Sequence, residues 1–222
     1  SKIEAGKIQI EHEAFDTHGL VEAAEAAMLS SGRKPGVELA IVVPADFPER
    51  LVGDAMRMRQ IITNLVNNAL KFTAAGEVVV SLALHGDELA LTVRDTGIGM
   101  SADQQQRLFQ PFEQADSTTS RKYGGTGLGL TISRKLVALM KGNITVTSAT
   151  GAGAEFTVTL PVALAPGPGP RPENEPLLPA LAAGPLLFID AHLASLKALL
   201  QNAAFYGLPA HSANTVDAAI AW

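Results

Sequence analysis

The chain has 222 residues, no cysteine and a net charge of −5. It therefore has no disulfides, thiolate metal sites or cysteine nucleophiles, and no basic field to hold a nucleic-acid backbone. A hydrophobic share of 47% beside 18% charged residues suits a globular chain with room for one good core and something smaller, and no run approaches the roughly 18 apolar residues of a membrane span.

No nucleic-acid partner and no direct membrane contact are expected. The lack of cysteine fits a reducing, cytoplasmic setting. Ser1 opens the chain without an initiator methionine or a signal-like segment, so a larger parent is expected, one with room for a membrane anchor of its own.

In chain order, SKIEAGK (Ser1 to Lys7) is helix-like and stops at Gly6. A short strand is expected within Ile8 to Phe15. Thr17 is placed to cap a helix running to about Leu29, with Leu20, Val21, Ala24, Ala27 and Met28 on its apolar face. After a turn at Gly32 to Gly36, VELAIVV (Val37 to Val43) reads as a strand and Pro44 to Arg50 as a loop. Asp54 stands at the N-cap position of the central helix, Arg57 to Thr73. Glu77 to Leu84 and Glu88 to Arg94 alternate apolar and polar residues around His85-Gly86-Asp87, the pattern of a hairpin.

Ser101 to Phe109 is a short helix and Gln110 to Lys122 is polar with little periodicity. A glycine-rich run then opens a helix to about Met140. Two further strands, Asn143 to Ser148 and Ala154 to Leu160, flank a Gly-rich turn. This order predicts an α/β fold, with helices on one face of a mixed, mainly antiparallel sheet.

Composition changes at Ala165 to Pro185, which holds seven of the thirteen prolines and reads as a stiff linker. Beyond it come a buried-type strand, Leu186 to Ile189, with Asp190 at its end, and a helix, His192 to Ala203. A strand near Pro209 to His211 and a helix starting at Thr215 follow. This tail is too short for a core of its own.

Chemistry gathers in three separate stretches. In RMRQIITNLVNNALKFT, Met58, Ile61, Ile62, Leu65, Val66, Ala69 and Leu70 form the apolar stripe. Asn64, Asn68 and Lys71 share another face with Arg57 and Gln60. Two asparagines one turn apart are poor helix formers. They serve either as an ordinary solvated face or as a pair of amides reaching, with the ammonium, into a nucleotide site. In DTGIGM a strand ends on Asp95, followed by Gly97 and Gly99, which leave backbone open to a ligand. An ionised carboxylate only accepts hydrogen bonds, so it suits the amino group of adenine and repels the carbonyl of guanine.

In YGGTGLGL, glycines 124, 125, 127 and 129 open a helix and leave N–H groups unshielded for phosphates. No Gly-Lys-Ser/Thr follows as in a Walker loop, and the glycine spacing is not that of a dinucleotide fold.

Together, Asn-x-x-x-Asn-Ala-x-Lys-Phe (Asn64 to Phe72), DTGIGM, LFQPFEQAD (Leu108 to Asp116) and GGTGLGL resemble the N, G1, F and G2 boxes of sensor histidine kinases. The likeness covers roughly Phe15 to Val162. It implies the Bergerat ATP-binding fold, a two-layer α/β sandwich, with ATP and Mg2+ as ligands. SKIEAGK resembles the end of that family's second dimerisation helix. The resemblance makes Asn68 the magnesium ligand with Asn64 beside it, and places Lys71 at the phosphates next to Phe72. Asp95 would meet adenine beside Gly97 and Gly99, and Gly125, Thr126, Gly127, Leu128 and Gly129 the triphosphate. Asn64 and Lys71 are the candidate catalytic side chains. Ser117 to Lys122 would form a lid, with Arg121 and Lys122 near the terminal phosphate.

In the gyrase-type and mismatch-repair relatives a glutamate stands where this chain has Asn64. An amide is no general base, which favours transfer to a protein histidine over hydrolysis. His12-Glu13 lacks the arginine and proline of the family's acceptor motif, so the acceptor is expected upstream of Ser1, in a dimerisation domain that makes the parent a homodimer. The tail resembles the start of a receiver domain. However, Asp190 is followed by Ala191 where receivers carry an acidic pair, which puts metal binding there in doubt. The implied organisation is 1–14 dimerisation-helix end and connector, 15–164 catalytic domain, 165–185 linker and 186–222 receiver-like segment. A response regulator or receiver domain would be the downstream partner. Two alternatives share the nucleotide site: a serine kinase of the anti-sigma type, which should lack SKIEAGK and the receiver-like tail, and a non-catalytic nucleotide-sensing module.

Overall fold

The computed structural model describes residues 9–30, 36–44, 46–108, 129–166, 184–190, 193–205 and 208–220. In chain order the elements are β1 (Glu13–Asp16), α1 (His18–Ser30), β2 (Val37–Val42), β3 (Arg50–Gly53), α2 (Ala55–Phe72), β4 (Gly76–His85), β5 (Glu88–Asp95) and α3 (Ala102–Arg107). They continue with α4 (Gly129–Leu139), β6 (Asn143–Ser148), β7 (Ala154–Pro161), β8 (Ala163–Leu164), β9 (Leu186–Ile189), α5 (Leu193–Phe205), β10 (Ala210–Ala213) and α6 (Val216–Ile220).

The main sheet has the order β2-β4-β5-β7-β6. β2 runs parallel to β4 and the other pairings are antiparallel. Helices α1, α2 and α4 lie on one face, giving the expected two-layer α/β sandwich. Strand alternation sets which side chains meet them. Val78, Val80 and Leu82 of β4, Leu89, Leu91 and Val93 of β5, and Phe156, Val158 and Leu160 of β7 are buried toward the helices. The register pairs Val80 with Val93 and Val93 with Phe156, so these rows form one apolar column under α2.

Helix α2 buries all seven residues of its predicted stripe. Asp54 caps its first turn, and Thr73 closes its last through a bond from its N–H to the Ala69 carbonyl. The two ends expected from sequence therefore have a physical basis in side-chain and backbone bonds.

Three features differ from the sequence reading. Strands β3 and β8 form a second sheet of order β1-β3-β8, which sequence left unassigned because four and two residues carry no readable period. The Thr17 hydroxyl does not cap α1: it donates to the carbonyls of Pro48 and Glu49 at 2.7 and 3.1 Å and ties the helix entry to the loop before β3.

The third feature, which the sequence reading did not address, is where the tail packs. β9 and β10 pair in parallel, and α5 between them rests on β2. There Ala198 is buried with Ala40 and Val79, and the Asn202 amide donates to the Ile41 carbonyl at 3.4 Å. This contact covers the outer face of the β2/β4 edge. Farther across the same face, Thr92, Thr157 and the Arg94–Glu77 ion pair carry the polar side chains.

Candidate functional site

The site forms where α2, the end of β5 and the start of α4 meet. Alternation through Leu89, Leu91 and Val93 puts Asp95 in the same inward row, and it is 6% exposed. A carboxylate at the end of an apolar column is costly unless bonded. One oxygen accepts from the Gly97 N–H at 2.8 Å and the carboxyl also accepts from the Ala154 N–H. Burial pushes the Asp95 carboxyl up from its usual range, and these two backbone donors oppose that rise. The two N–H donors hold its oxygens in a fixed orientation.

The loop after Asp95 is held against both neighbours. The Ile98 N–H reaches the Phe72 carbonyl at the end of α2, at 3.3 Å, and the Gly151 N–H bonds the Ile98 carbonyl at 2.7 Å. Any Cβ on Gly97 would lie 2.4 Å from the Phe72 carbonyl oxygen. Gly99 has φ of +63°, and a Cβ there would stand 1.9 Å from the Ala149 carbonyl oxygen. Close approach explains the first glycine, and backbone conformation together with close approach the second. Ser148, which the sequence reading did not single out, receives the Met100 N–H at 2.9 Å and donates to the Gly153 carbonyl at 2.6 Å. It fixes where the loop turns into α3, whose Ser101 and Gln104 form a capping box.

On α2, Asn64, Asn68, Lys71 and Phe72 are all half-buried. The Asn64 amide donates to Ser133 Oγ of α4 at 2.8 Å. Lys71 Nζ lies 4.9 Å from the centre of the Phe72 ring, and burial lowers the pKa of its ammonium from the ordinary lysine value. Gly129 is the first residue of α4, where N–H groups lack helical partners.

The structure thus brings Asn64 to Gly129 and Ser133, and the end of α2 to Gly97 and Asp95. Arg121, Lys122, Gly125, Thr126, Gly127 and Leu128, with the expected lid at Ser117 to Lys122, lie outside the described residues. An apolar groove of about 440 Å3 between Leu51, Leu84, Gly86, Asp87 and Val162 to Leu164 lies at the Glu88 end of β5, opposite Asp95. It takes no part in this site. Among the described residues, no helix is long and apolar enough to cross a membrane.

An α/β sandwich with a buried acceptor at a strand end and an amide-bearing helix that meets a second helix's N-terminus suits a nucleotide-binding domain. Residues 53–164 match the family described as "Histidine kinase-, DNA gyrase B-, and HSP90-like ATPase", and the chain belongs to it. The signal transduction histidine-protein kinase BarA of Escherichia coli (strain K12) is 41% identical over 153 residues, covering 67% of this chain and 17% of BarA. Hybrid signal transduction histidine kinase L of Dictyostelium discoideum is 42% identical over 157 residues, covering 68% of this chain and 9% of its own length. The chain thus spans less than a fifth of these relatives. The crystal structure of full-length ShkA in complex with AMPPNP superposes with a TM-score of 0.77 at 30% identity, covering 100% of this chain and 44% of that one. The matched region is a histidine-kinase-type ATP-binding catalytic domain.

Proposed function

We propose that the chain is the catalytic module of a hybrid sensor histidine kinase. It presents the γ-phosphoryl group of ATP to a histidine in a dimerisation segment upstream of Ser1, for relay to a receiver or response regulator. The observation that carries this reading is Asp95, a buried carboxylate aimed from the inward row, its geometry set by Gly97 and Ala154. Such a group accepts the adenine amino group and disfavours a carbonyl in its place.

Each remaining part has a role that its chemistry supports. Asn68 supplies an amide oxygen suited to a magnesium ion, which keeps most of its ligands as water and phosphate oxygens. The metal, when bound, neutralises charge on the phosphates. Lys71 adds a cation on the same helix face. The N-terminus of α4 offers backbone donors to the triphosphate, to which the family resemblance adds the glycines from Gly125 and the charges of Arg121 and Lys122. Phosphoryl transfer rests on positioning and charge neutralisation, and no side chain at Asn64 can take a proton from water. That supports transfer to a histidine over hydrolysis.

Two of the described histidines support an acceptor elsewhere. His85 pairs with Glu88 at the hairpin end opposite Asp95, and His18 is bonded to Asp16 at 3.0 Å. The proposed organisation is 1–14 connector from a dimerising helix, 15–164 catalytic domain, 165–185 linker and 186–222 receiver-like segment. The parallel β9-α5-β10 unit supports the last assignment, because such units open doubly wound folds. Asp190-Ala191 speaks against metal binding there.

The test is incubation with γ-labelled ATP. The chain alone should bind ATP and take up no acid-labile phosphate. Adding the upstream segment should label a histidine outside residues 1–222. Stoichiometric phosphate on His12, or on any other residue of this chain, overturns the reading.

A further inference from the structure

We propose that Ser133 is a positioning residue: it locks the Asn64 amide with its oxygen turned toward the N-terminus of α4, so that Asn64 serves the nucleotide site as an acceptor. This rests on the assignment of that site under the proposed function.

In GLTISRKLVAL, positions 129, 133, 136 and 137 recur on one helix face. Leu136 and Val137 are buried there at 0% and 1% exposure, and Ser133 at 1% lies in the same row. A hydroxyl buried among leucine and valine is costly without a partner. Its partner comes from the other helix, the Asn64 NH2 at 2.8 Å. A planar amide carries its NH2 and its oxygen on opposite sides, so committing the NH2 to Ser133 aims the oxygen the other way. That oxygen fills the space a side chain at Gly129 would occupy: a Cβ there would stand 2.2 Å from Asn64 Oδ1. Gly129 therefore has a packing reason to be glycine besides its place in the phosphate-binding run.

The orientation has a chemical consequence. Phosphate oxygens are acceptors, so an amide oxygen cannot bond them directly. It can take a hydrogen bond from water held by a divalent cation, or the cation itself. The reversed amide would offer its NH2 straight to phosphate and bind ATP with less need of metal. A hydroxyl can accept from the NH2 or donate to the oxygen, so Ser133 anchors the amide while the N–H groups at the start of α4 keep its oxygen on their side.

The test compares the wild-type chain with Ser133→Ala, Asn64→Ala and the double variant. Calorimetry measures ATP binding with magnesium and with a chelator, and nuclear magnetic resonance measures solvent exchange of the Asn64 side-chain NH2 in the nucleotide-free protein. Ser133→Ala should speed that exchange at least about tenfold and weaken binding of the magnesium complex by about three- to tenfold, the loss of one hydrogen bond. Metal-free binding should change less than about twofold, and Ser133→Ala should have no further effect once Asn64 is alanine. Unchanged NH2 exchange, or equal weakening with and without metal, overturns the positioning role. If Asn64→Ala leaves both affinities unchanged while Ser133→Ala still frees the amide, the site assignment itself fails, and the inference with it.

Discussion

Replacing Asp54 with alanine should destabilise the chain by about 2 kcal/mol. The residue is 3% exposed and each of its oxygens has its own bond. Oδ1 accepts from the Arg57 N–H at 2.9 Å, capping α2, and Oδ2 accepts from the Glu11 N–H at 3.1 Å, tying down the segment ahead of β1. Losing an N-cap costs about 1 kcal/mol, and leaving a second, partly buried N–H unpaired about 1 kcal/mol more. For a chain of this size the sum corresponds to a melting temperature lower by roughly 4–8 °C.

Asparagine caps helices as well as aspartate but brings a single acceptor oxygen, so Asp54→Asn should keep the cap, lose the Glu11 bond and cost about half as much. Thermal and urea denaturation followed by circular dichroism measure both variants. ATP affinity of the folded variants should match wild type, because Asp54 is roughly 15 Å along the helix axis from Asn64. An alanine variant within about 0.5 kcal/mol of wild type, or an asparagine variant as weak as alanine, would refute the two-bond account.

Asn68→Ala should abolish the magnesium dependence of ATP binding while leaving thermal stability near wild type, since the side chain is on the polar face and its removal opens no core cavity. Calorimetry with and without metal reads this directly, and unchanged magnesium dependence would remove Asn68 as the ligand. Burial lowers the pKa of the Lys71 ammonium, so its charge is lost on raising the pH through a value below the ordinary one. ATP affinity should fall along that alkaline limb, and the limb should vanish in Lys71→Arg, whose charge persists. Persistence of the limb in that variant would assign it to another group. Ala198→Glu places a carboxylate against Ala40 and Val79, where an unpaired charge is not tolerated. Hydrogen exchange should then accelerate in residues 193–205 and stay slow in α2, whereas unchanged exchange in α5 would mean that the contact with the sheet is unimportant.

Much of this architecture is legible in the sequence because its elements are long and strictly periodic. Seven apolar positions in α2 and the alternation of β4, β5 and β7 leave few other ways to bury those side chains. The inward aim of Asp95 follows from the same alternation, since it continues Leu89, Leu91 and Val93 at spacing two. Short strands escape such reading, as β3 and β8 do. Ser133 escapes because a serine in an apolar helix row has many uses, and its partner lies 69 positions away in sequence. Docking of α5 on the sheet rests on Ala40, Val79 and Ala198, small residues without a pattern of their own. Continuous hydrophobicity in Leu39 to Val43 was the available signal, because a strand buried on both faces loses its alternation.

The most direct test of the nucleotide assignment is a calorimetric titration of the chain with ATP and with GTP in the presence of magnesium. Asp95 should give at least about tenfold preference for ATP, as one buried acceptor meets a donor in adenine and another acceptor in guanine. Asp95→Asn should narrow that preference, because an amide can turn to donate. Equal affinity of the wild-type chain for the two nucleotides would contradict the account.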